Sequence, residues 1–541
     1  MKASELFVRC LEAEGVRYIF GLPGEENIEF LHSLCDSKIE FILTHDERGA
    51  AFMANAYGRL SGKPGVCLST LGPGATNLIT GIADALLDFS PMVAVTGQAG
   101  LPRLHKESHQ YIDVLGILKP VTKWNARIEI PGTIPEIIRK AFKTASLEKP
   151  GPTHIELPED IASAETDGFP LPQDTIRHSE PPAEALAEAV SLITNARMPL
   201  ILAGNGVLRG KATKQLGDFA SKTHIGVTTT FMGSGALSAD HECFISSVGL
   251  QSKDYISCGF DKADLVIAVG YDPVEFSPSY WNPDGRRKVV HISLTPSETD
   301  ASYSPLELIG DIKTTLSALT EKMRSGKDIS YYHKLKLFSD HALHFSTAGF
   351  PLKPLRVIND MRKALRRDDI LVSDVGAHKI WIARFYPAYE ENSVIISNGF
   401  ASMGFALPAA ISAKLLYPEK NIIAAVGDGG FLMSMCELNT AVRLGLNIVC
   451  LIFNDGGYGL IEWKEKRRFG KDFFVKFKSP DFAGIARAFG AKGYRVTSEE
   501  GLSQVLQEAL TRKVPCVIDC PVDYSENMIL TEKLGRLICP V

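Results

Sequence analysis

Two aspartates stand where a strand-turn-helix-strand pattern would bring them together. Asp428 lies in Gly427-Asp428-Gly429-Gly430 after the apolar run NIIAAV, and Asp455 follows Asn454 at the end of NIVCLIF. The spacing predicts a helix over 431–444, closed near Gly445, between two strands. A crossover of that kind is right-handed and leaves the strands parallel, so both carboxylates fall at carboxyl ends on one edge of a sheet. Open α/β sheets bind ligands at that edge. The glycines permit close backbone approach, and a helix start at Phe431 would offer free N–H groups to an anion. Hard carboxylate oxygens beside a phosphate describe a magnesium site. Either aspartate alone reads as a turn residue; the pair in this frame reads as a metal site.

Other residues are informative only in company. Glu47, in THDERGAAFMANAYGR, sits after the strand-like IEFILT at a helix start, where the helix dipole alone would favour a carboxylate. Gly72, Pro73 and Gly74, in LSTLGPGATN, read as a tight turn before a capped helix. Met403, in SNGFASMGFALPAA, is by itself core filler. Lys464, Lys466, Arg467 and Arg468 form a charge run typical of a solvated helix face.

The elements that must hold these residues form three similar regions. Ser4 is placed to cap a first helix whose apolar positions are Leu6, Phe7, Cys10 and Leu11, with Gly15 closing it and a strand following over 16–20. Up to about residue 165, short apolar runs (IEFILTH, GVCLST, MVAVTG, THIELP) alternate with helical segments, as parallel strands covered on both faces do. Four prolines over 165–182 mark a linker. Strands are expected at 199–203, 265–270 and 288–292 in a second region, and in DILVSDVG, SVIISN, NIIAAVGDG, NIVCLIFND and PCVIDCPVD in a third. The polar stretch 325–348 reads as a connecting arm. The expected organisation is α/β, three doubly wound parallel-sheet domains over 1–165, 184–320 and 352–525.

Composition sets the class of partner. The 541 residues carry a formal charge of −5, with 45% hydrophobic and 22% charged residues. That is ordinary for a multidomain globular protein and too mild and well mixed for a nucleic-acid or anionic-membrane surface. Ten scattered cysteines form no CxxC, no apolar run is long enough to span a bilayer, and the N-terminus is too acidic for a signal peptide. A reduced, cytoplasmic protein acting on a small molecule is expected.

The spacing of Gly427-Asp428-Gly429 from Asn454-Asp455 resembles the signature of the thiamine-diphosphate-dependent enzymes. The resemblance implies magnesium ligation by Asp428, Asp455 and the backbone carbonyl of Gly457, although asparagine is commoner in that family where this chain has Asp455. It implies that Glu47 acts on N1′ of the aminopyrimidine, so that the 4′-amino group becomes the base at the thiazolium C2. Gly72, Pro73 and Gly74 would lie beneath the pyrimidine. In DVGAHKIW, Gly376, Ala377 and His378 would face the diphosphate, and Ala377 stands where the family more often has glutamine or serine, whose polar side chain alanine cannot replace. Gly399, Gly427, Gly429, Gly430, Tyr458 and Gly459 complete the implied cofactor set, and Met403 would wedge between the two rings.

Within that family the chain is most similar to the catabolic, flavin-free acetolactate synthases. GYDPVEFSPSYWN stands where the anabolic enzymes carry a G-A-R-F-D-D-R flavin motif, and Gly204, Gly206 and Gly210 do not form G-x-G-x-x-G, so no FAD is expected. His109-Gln110 matches the catabolic enzymes and makes Gln110 the candidate holder of a bound oxo acid. The resemblance implies decarboxylation of pyruvate and condensation of the remaining two-carbon unit with a second pyruvate, in a homodimer or homotetramer. A 2-oxo acid decarboxylase, a flavin-dependent pyruvate oxidase and a non-catalytic paralogue are the alternatives. Gly24-Glu25-Glu26 departs from the small residues usual after F-G-x-P-G and puts the acceptor pocket in question, and Trp463 keeps an aromatic in an otherwise altered segment.

Overall fold

A computed structural model describes residues 1–173, 175–249, 255–324, 326–342, 346–528 and 530. The three expected α/β units are present, each built on a six-stranded sheet whose pairings are all parallel. The N-terminal sheet comprises β1 (Tyr18–Gly21), β2 (Glu40–Leu43), β3 (Gly65–Ser69), β4 (Met92–Gln98), β5 (Trp124–Arg127) and β6 (Pro152–Pro158) in the order β2-β1-β3-β4-β6-β5. The middle sheet runs β12 (Leu306–Ile309), β11 (Lys288–Ser293), β10 (Leu265–Val269), β7 (Pro199–Ala203), β8 (Gly226–Thr230), β9 (Phe244–Val248). The C-terminal sheet runs β14 (Val394–Ile396), β13 (Ile370–Ser373), β15 (Ile422–Gly427), β16 (Val449–Asn454), β18 (Cys516–Pro521), β17 (Lys492–Arg495). In each sheet the chain reverses its winding direction beside the first strand, which opens a crevice at the carboxyl ends.

The continuously apolar runs behave as covered strands should. β3, β4, β6, β7 and β10 are buried along their whole length. The N- and C-terminal units share one core: helix Glu47–Ser61 lies on helix Ala406–Leu416, and Phe52 meets Phe405 edge to face at 5.6 Å. A buried polar seam crosses the same interface. Asp84 accepts from Ser397 Oγ (2.6 Å) and Asn55 Nδ2 (2.9 Å), and Asp88 accepts from the Gly399 amide (2.6 Å) beside Arg59. Glu437, also buried, accepts from the amides of His45 and Asp46. No helix among the described residues is long and apolar enough to cross a membrane.

Several expectations are corrected. The first helix starts at Ala3 with Lys2 at its cap, so Ser4 is a buried first-turn residue and caps nothing. The strand expected over 16–20 is Tyr18–Gly21. The arm at 325–348 contains helix Ser330–Ala342, because Tyr332 and Leu335 supply a buried apolar stripe against the middle domain. The helix expected over 431–444 is two pieces, Asp428–Ser434 and Glu437–Arg443. Strands β5, β8, β9, β12 and β17 had no clear sequence signal; β17 is a short, largely solvated edge.

Candidate functional site

The register β15 to β16 sets Gly427 opposite Phe453, so the turns that follow, Asp428 and Asn454-Asp455, emerge side by side. Asp428 is 1% exposed and organises the neighbouring loop. Its Oδ2 accepts from the amides of Gly456 (2.8 Å) and Gly457 (3.2 Å) and from Ser479 Oγ (3.0 Å), while its Oδ1 accepts from Gly429 N (2.8 Å). The helix beginning at Asp428 is therefore three residues earlier than expected, and one of its first amides is already bonded by its own aspartate. Burial, with the charge of Asp428 next in importance, raises Asp455 to about 7. Two acids driven against each other in this way form a donor set that a divalent cation would relieve.

Around the pair is a cavity of about 240 Å3. Gly376, Ala377, His378, Met403, Gly427, Gly429, Gly430, Gly457, Tyr458 and Gly459 line it together with both aspartates. A Cβ at Gly430 would come 2.2 Å from Asp374 Oδ2, and one at Gly429 would come 2.7 Å from the Tyr458 ring, so both positions require glycine by contact. His378 is buried and neutral, its pKa pushed down to about 3 by desolvation, and its Nε2 has no hydrogen-bond partner. His378 shares the cavity wall with the two acids and keeps a polar atom that the protein itself does not satisfy. The residues fit a diphosphate with a divalent cation.

Asp374, to which the sequence alone assigns no role, explains how Met403 reaches the cavity. It is fully buried after β13 and accepts from the amides of Gly404 (3.0 Å) and Phe405 (3.1 Å). Hydrogen bonds to a carboxylate contribute about 1.5–3 kcal/mol each, so the acid fixes the turn that carries Met403. Ser479, 51 residues from Asp428 along the chain, gave no sequence signal at all.

A second group gathers on the N-terminal sheet. Glu47 begins its helix after β2 as expected, and its Oε2 accepts from Asn77 Nδ2 at 3.0 Å. Gly72 has φ +55°, Pro73 starts the next helix, and a Cβ on Gly74 would sit 3.3 Å from Glu47 Oε1. Gln110, itself at φ +56°, packs its backbone on Gly72 with an exposed side chain. None of these residues lines the cavity around Asp428 and Asp455. Gly399 also lies outside it, against Leu87 and Asp88 of the N-terminal unit.

In the middle domain the turn after β7, where this topology would seat the phosphates of a dinucleotide, is closed by the chain itself, while Gly249, Pro273, Val274, Glu275 and Phe276 line open space on the side facing the C-terminal domain. Gly206 N donates to Gly270 O at 2.8 Å, and a Cβ at Gly206 would come within 2.6 Å of Gly270 Cα. Both oxygens of Glu275 accept from Asn205 N (3.1 Å each), and Thr230 Oγ1 donates to the same carboxylate. Glu275 is 5% exposed, and burial raises it to about 7. Lys149 to Asp272 and Arg209 to Glu148 ion pairs narrow the approach beside His291 to about 10 Å3, room for about one water.

The chain matches three family models in order. They are the N-terminal TPP binding domain of thiamine pyrophosphate enzymes over residues 1–117, the central domain over 186–319, and the C-terminal TPP binding domain over 374–520. It is 34% identical to "Acetolactate synthase" of Bacillus subtilis, covering 99% of this chain and 96% of that one. It is 35% identical to "Acetolactate synthase, catabolic" of Raoultella terrigena (98% and 97% covered) and 35% identical to "Probable acetolactate synthase large subunit" of Methanocaldococcus jannaschii (99% and 94%).

Proposed function

The chain belongs to the thiamine pyrophosphate enzymes, among the acetolactate synthases, and from that premise we propose that it converts two molecules of pyruvate to 2-acetolactate and carbon dioxide. The observation that carries this reading is the cavity lined by Asp428, Asp455 and His378, in a chain similar end to end to acetolactate synthases. Bound thiamine diphosphate supplies a carbon nucleophile and an electron sink. The protein's part is positional and electrostatic. Asp428, Asp455 and the Gly457 carbonyl hold magnesium, His378 and the backbone at Gly376 and Ala377 face the diphosphate, and Met403, fixed through Asp374, shapes the ring contact. Glu47 holds a proton at N1′ of the pyrimidine.

Because Glu47 and the Asp428 cavity do not share a space within one chain, the working unit in this reading is at least a homodimer, with the pyrimidine group of one copy facing the diphosphate group of another. The segment GYDPVEFSPSYWN, which lacks the flavin motif, supports a flavin-free enzyme. Purified protein is expected to be colourless and fully active with thiamine diphosphate and magnesium alone; product analysis after incubation with pyruvate is expected to show acetolactate in excess of acetaldehyde. A stoichiometric flavin required for turnover, or acetaldehyde as the main product, would replace this reading with that of an oxidase or a decarboxylase.

Gln110 stands beside Gly72 on the pyrimidine side, with its side chain free to reach a substrate. A hydrogen bond from its amide would hold the acceptor in place, so Gln110→Ala is expected to shift the products several-fold toward acetaldehyde while pyruvate consumption continues. An unchanged product ratio would remove Gln110 from the acceptor site.

A further inference from the structure

Beside the cofactor cavity lies a larger one, of about 490 Å3, between the middle and C-terminal domains. Val375, Ala401 and Leu460 line both, so the two spaces share a wall. The larger cavity has aromatic sides, among them Phe276 and Trp463, with Lys464 and Arg467 on the helix Gly459–Phe469 and Lys379 on the helix Ala377–Phe385.

Lys379 is the unusual lining residue. It is 6% exposed, yet among the described residues its ammonium has no hydrogen-bond acceptor and no carboxylate within 4 Å. Buried ammonium groups are costly unless paired, and Lys379 is not needed to complete the bonding of the acids nearest to it. Asp88 is already bonded to the amides of Asn398 and Gly399 and faces Arg59, and Asp84 to Ser397 and Asn55. Burial lowers the Lys379 pKa to about 8, while the charges of Asp88 and Asp84 act to keep it protonated. The result is a positive charge with free donors, set in a chamber of mixed lining that includes four aromatic rings and, on the middle-domain side, the Glu275 carboxyl, which Thr230 and the Asn205 amide already bond.

We propose that Lys379 binds the carboxylate of a small 2-oxo acid in this cavity and so places a substrate molecule beside the cofactor site. The chamber suits that chemical class: one charge-assisted contact for the carboxylate, apolar surface for a short carbon chain, and a cationic side at Lys464 and Arg467 that raises the local concentration of anions. The inference rests on the carboligase reading for its substrate, while the binding site itself is tested separately.

The test is calorimetric titration of cofactor-loaded enzyme with oxamate, an unreactive isostere of pyruvate, alongside steady-state kinetics. Lys379→Gln, which removes the charge, keeps a polar end and is one atom shorter, is expected to weaken oxamate at least tenfold and to raise the pyruvate KM by a similar factor with a smaller change in kcat. Lys379→Arg is expected to stay within about threefold of wild type. Thermal melting verifies that each variant is folded, and Lys379→Met serves in place of the glutamine variant if the latter is not. Wild-type oxamate affinity in a folded uncharged variant would overturn the assignment, as would equal losses in the arginine and glutamine variants. A wild-type enzyme that leaves pyruvate untouched but binds oxamate through Lys379 would defeat the carboligase reading and leave the carboxylate site standing.

Discussion

Glu47→Gln is expected to slow proton exchange at the cofactor's C2 by about 10²–10⁴-fold, the range typical for loss of a positioned acid-base group, and to slow turnover with it. The side chain that remains has the same size and still meets Asn77 Nδ2, which donates to Glu47 at 3.0 Å. The helix start is also preserved, since its cap is Asp46, whose carboxylate accepts from the Arg48 amide at 2.7 Å. Cofactor affinity should therefore change by only a modest factor. What the amide lacks is a transferable proton for N1′, without which the 4′-amino group is a poor base at C2. Exchange of the C2 proton, followed by NMR on the loaded enzyme without substrate, isolates this step from decarboxylation and from acceptor binding. Exchange at the wild-type rate would show that Glu47 is not the activating acid. Exchange abolished together with cofactor binding would point to a packing role through Gly74, whose Cβ position lies 3.3 Å from Glu47 Oε1.

The sequence was most readable where apolar runs are short, buried on both faces and bounded by glycine or an acid. Strands β7, β10 and β15 are of this kind, and from β15 and β16 alone the meeting of Asp428 and Asp455 follows, because parallel strands must end on one edge. It was least readable where tertiary contact decides. β8 and β17 lack the apolar run that marks a strand, and only their neighbours in the sheet make them strands. The helix at Asp428 starts early because Gly429 and Gly430 sit in its first turn, where Tyr458 and Asp374 leave no room for a Cβ. Helix propensity argues against two glycines there; close packing overrides it. Asp374 and Lys379 both lie in DVGAHKIW, but their roles depend on burial and on missing partners, which spacing along a chain does not encode. Ser479 reaches Asp428 through a loop with no local pattern pointing to it.

Asp428→Ala is expected to abolish magnesium-dependent binding of thiamine diphosphate, whereas Asp455→Asn should weaken it by no more than about tenfold. The asymmetry follows from what each carboxylate does besides meeting a cation. Asp428 accepts four hydrogen bonds, from the amides of Gly429, Gly456 and Gly457 and from Ser479 Oγ. Its removal deletes one ligand and also releases the loop that presents Asp455 and the Gly457 carbonyl, with buried donors left unpaired at about 1–3 kcal/mol each. Asp455 holds no comparable loop. Its titration near neutrality reflects burial and the neighbouring charge of Asp428, and an asparagine there keeps a ligand oxygen while removing the repulsion between two acids. Titrating the cofactor at several magnesium concentrations separates metal ligation from general damage to the fold. In Asp428→Ala the apparent Kd should no longer respond to magnesium, and in Asp455→Asn the response should persist with a shifted midpoint. Equal losses in the two variants would mean that Asp455 ligates through its charge and not through a replaceable oxygen. A magnesium response retained in Asp428→Ala would move the metal away from the edge where β15 and β16 end.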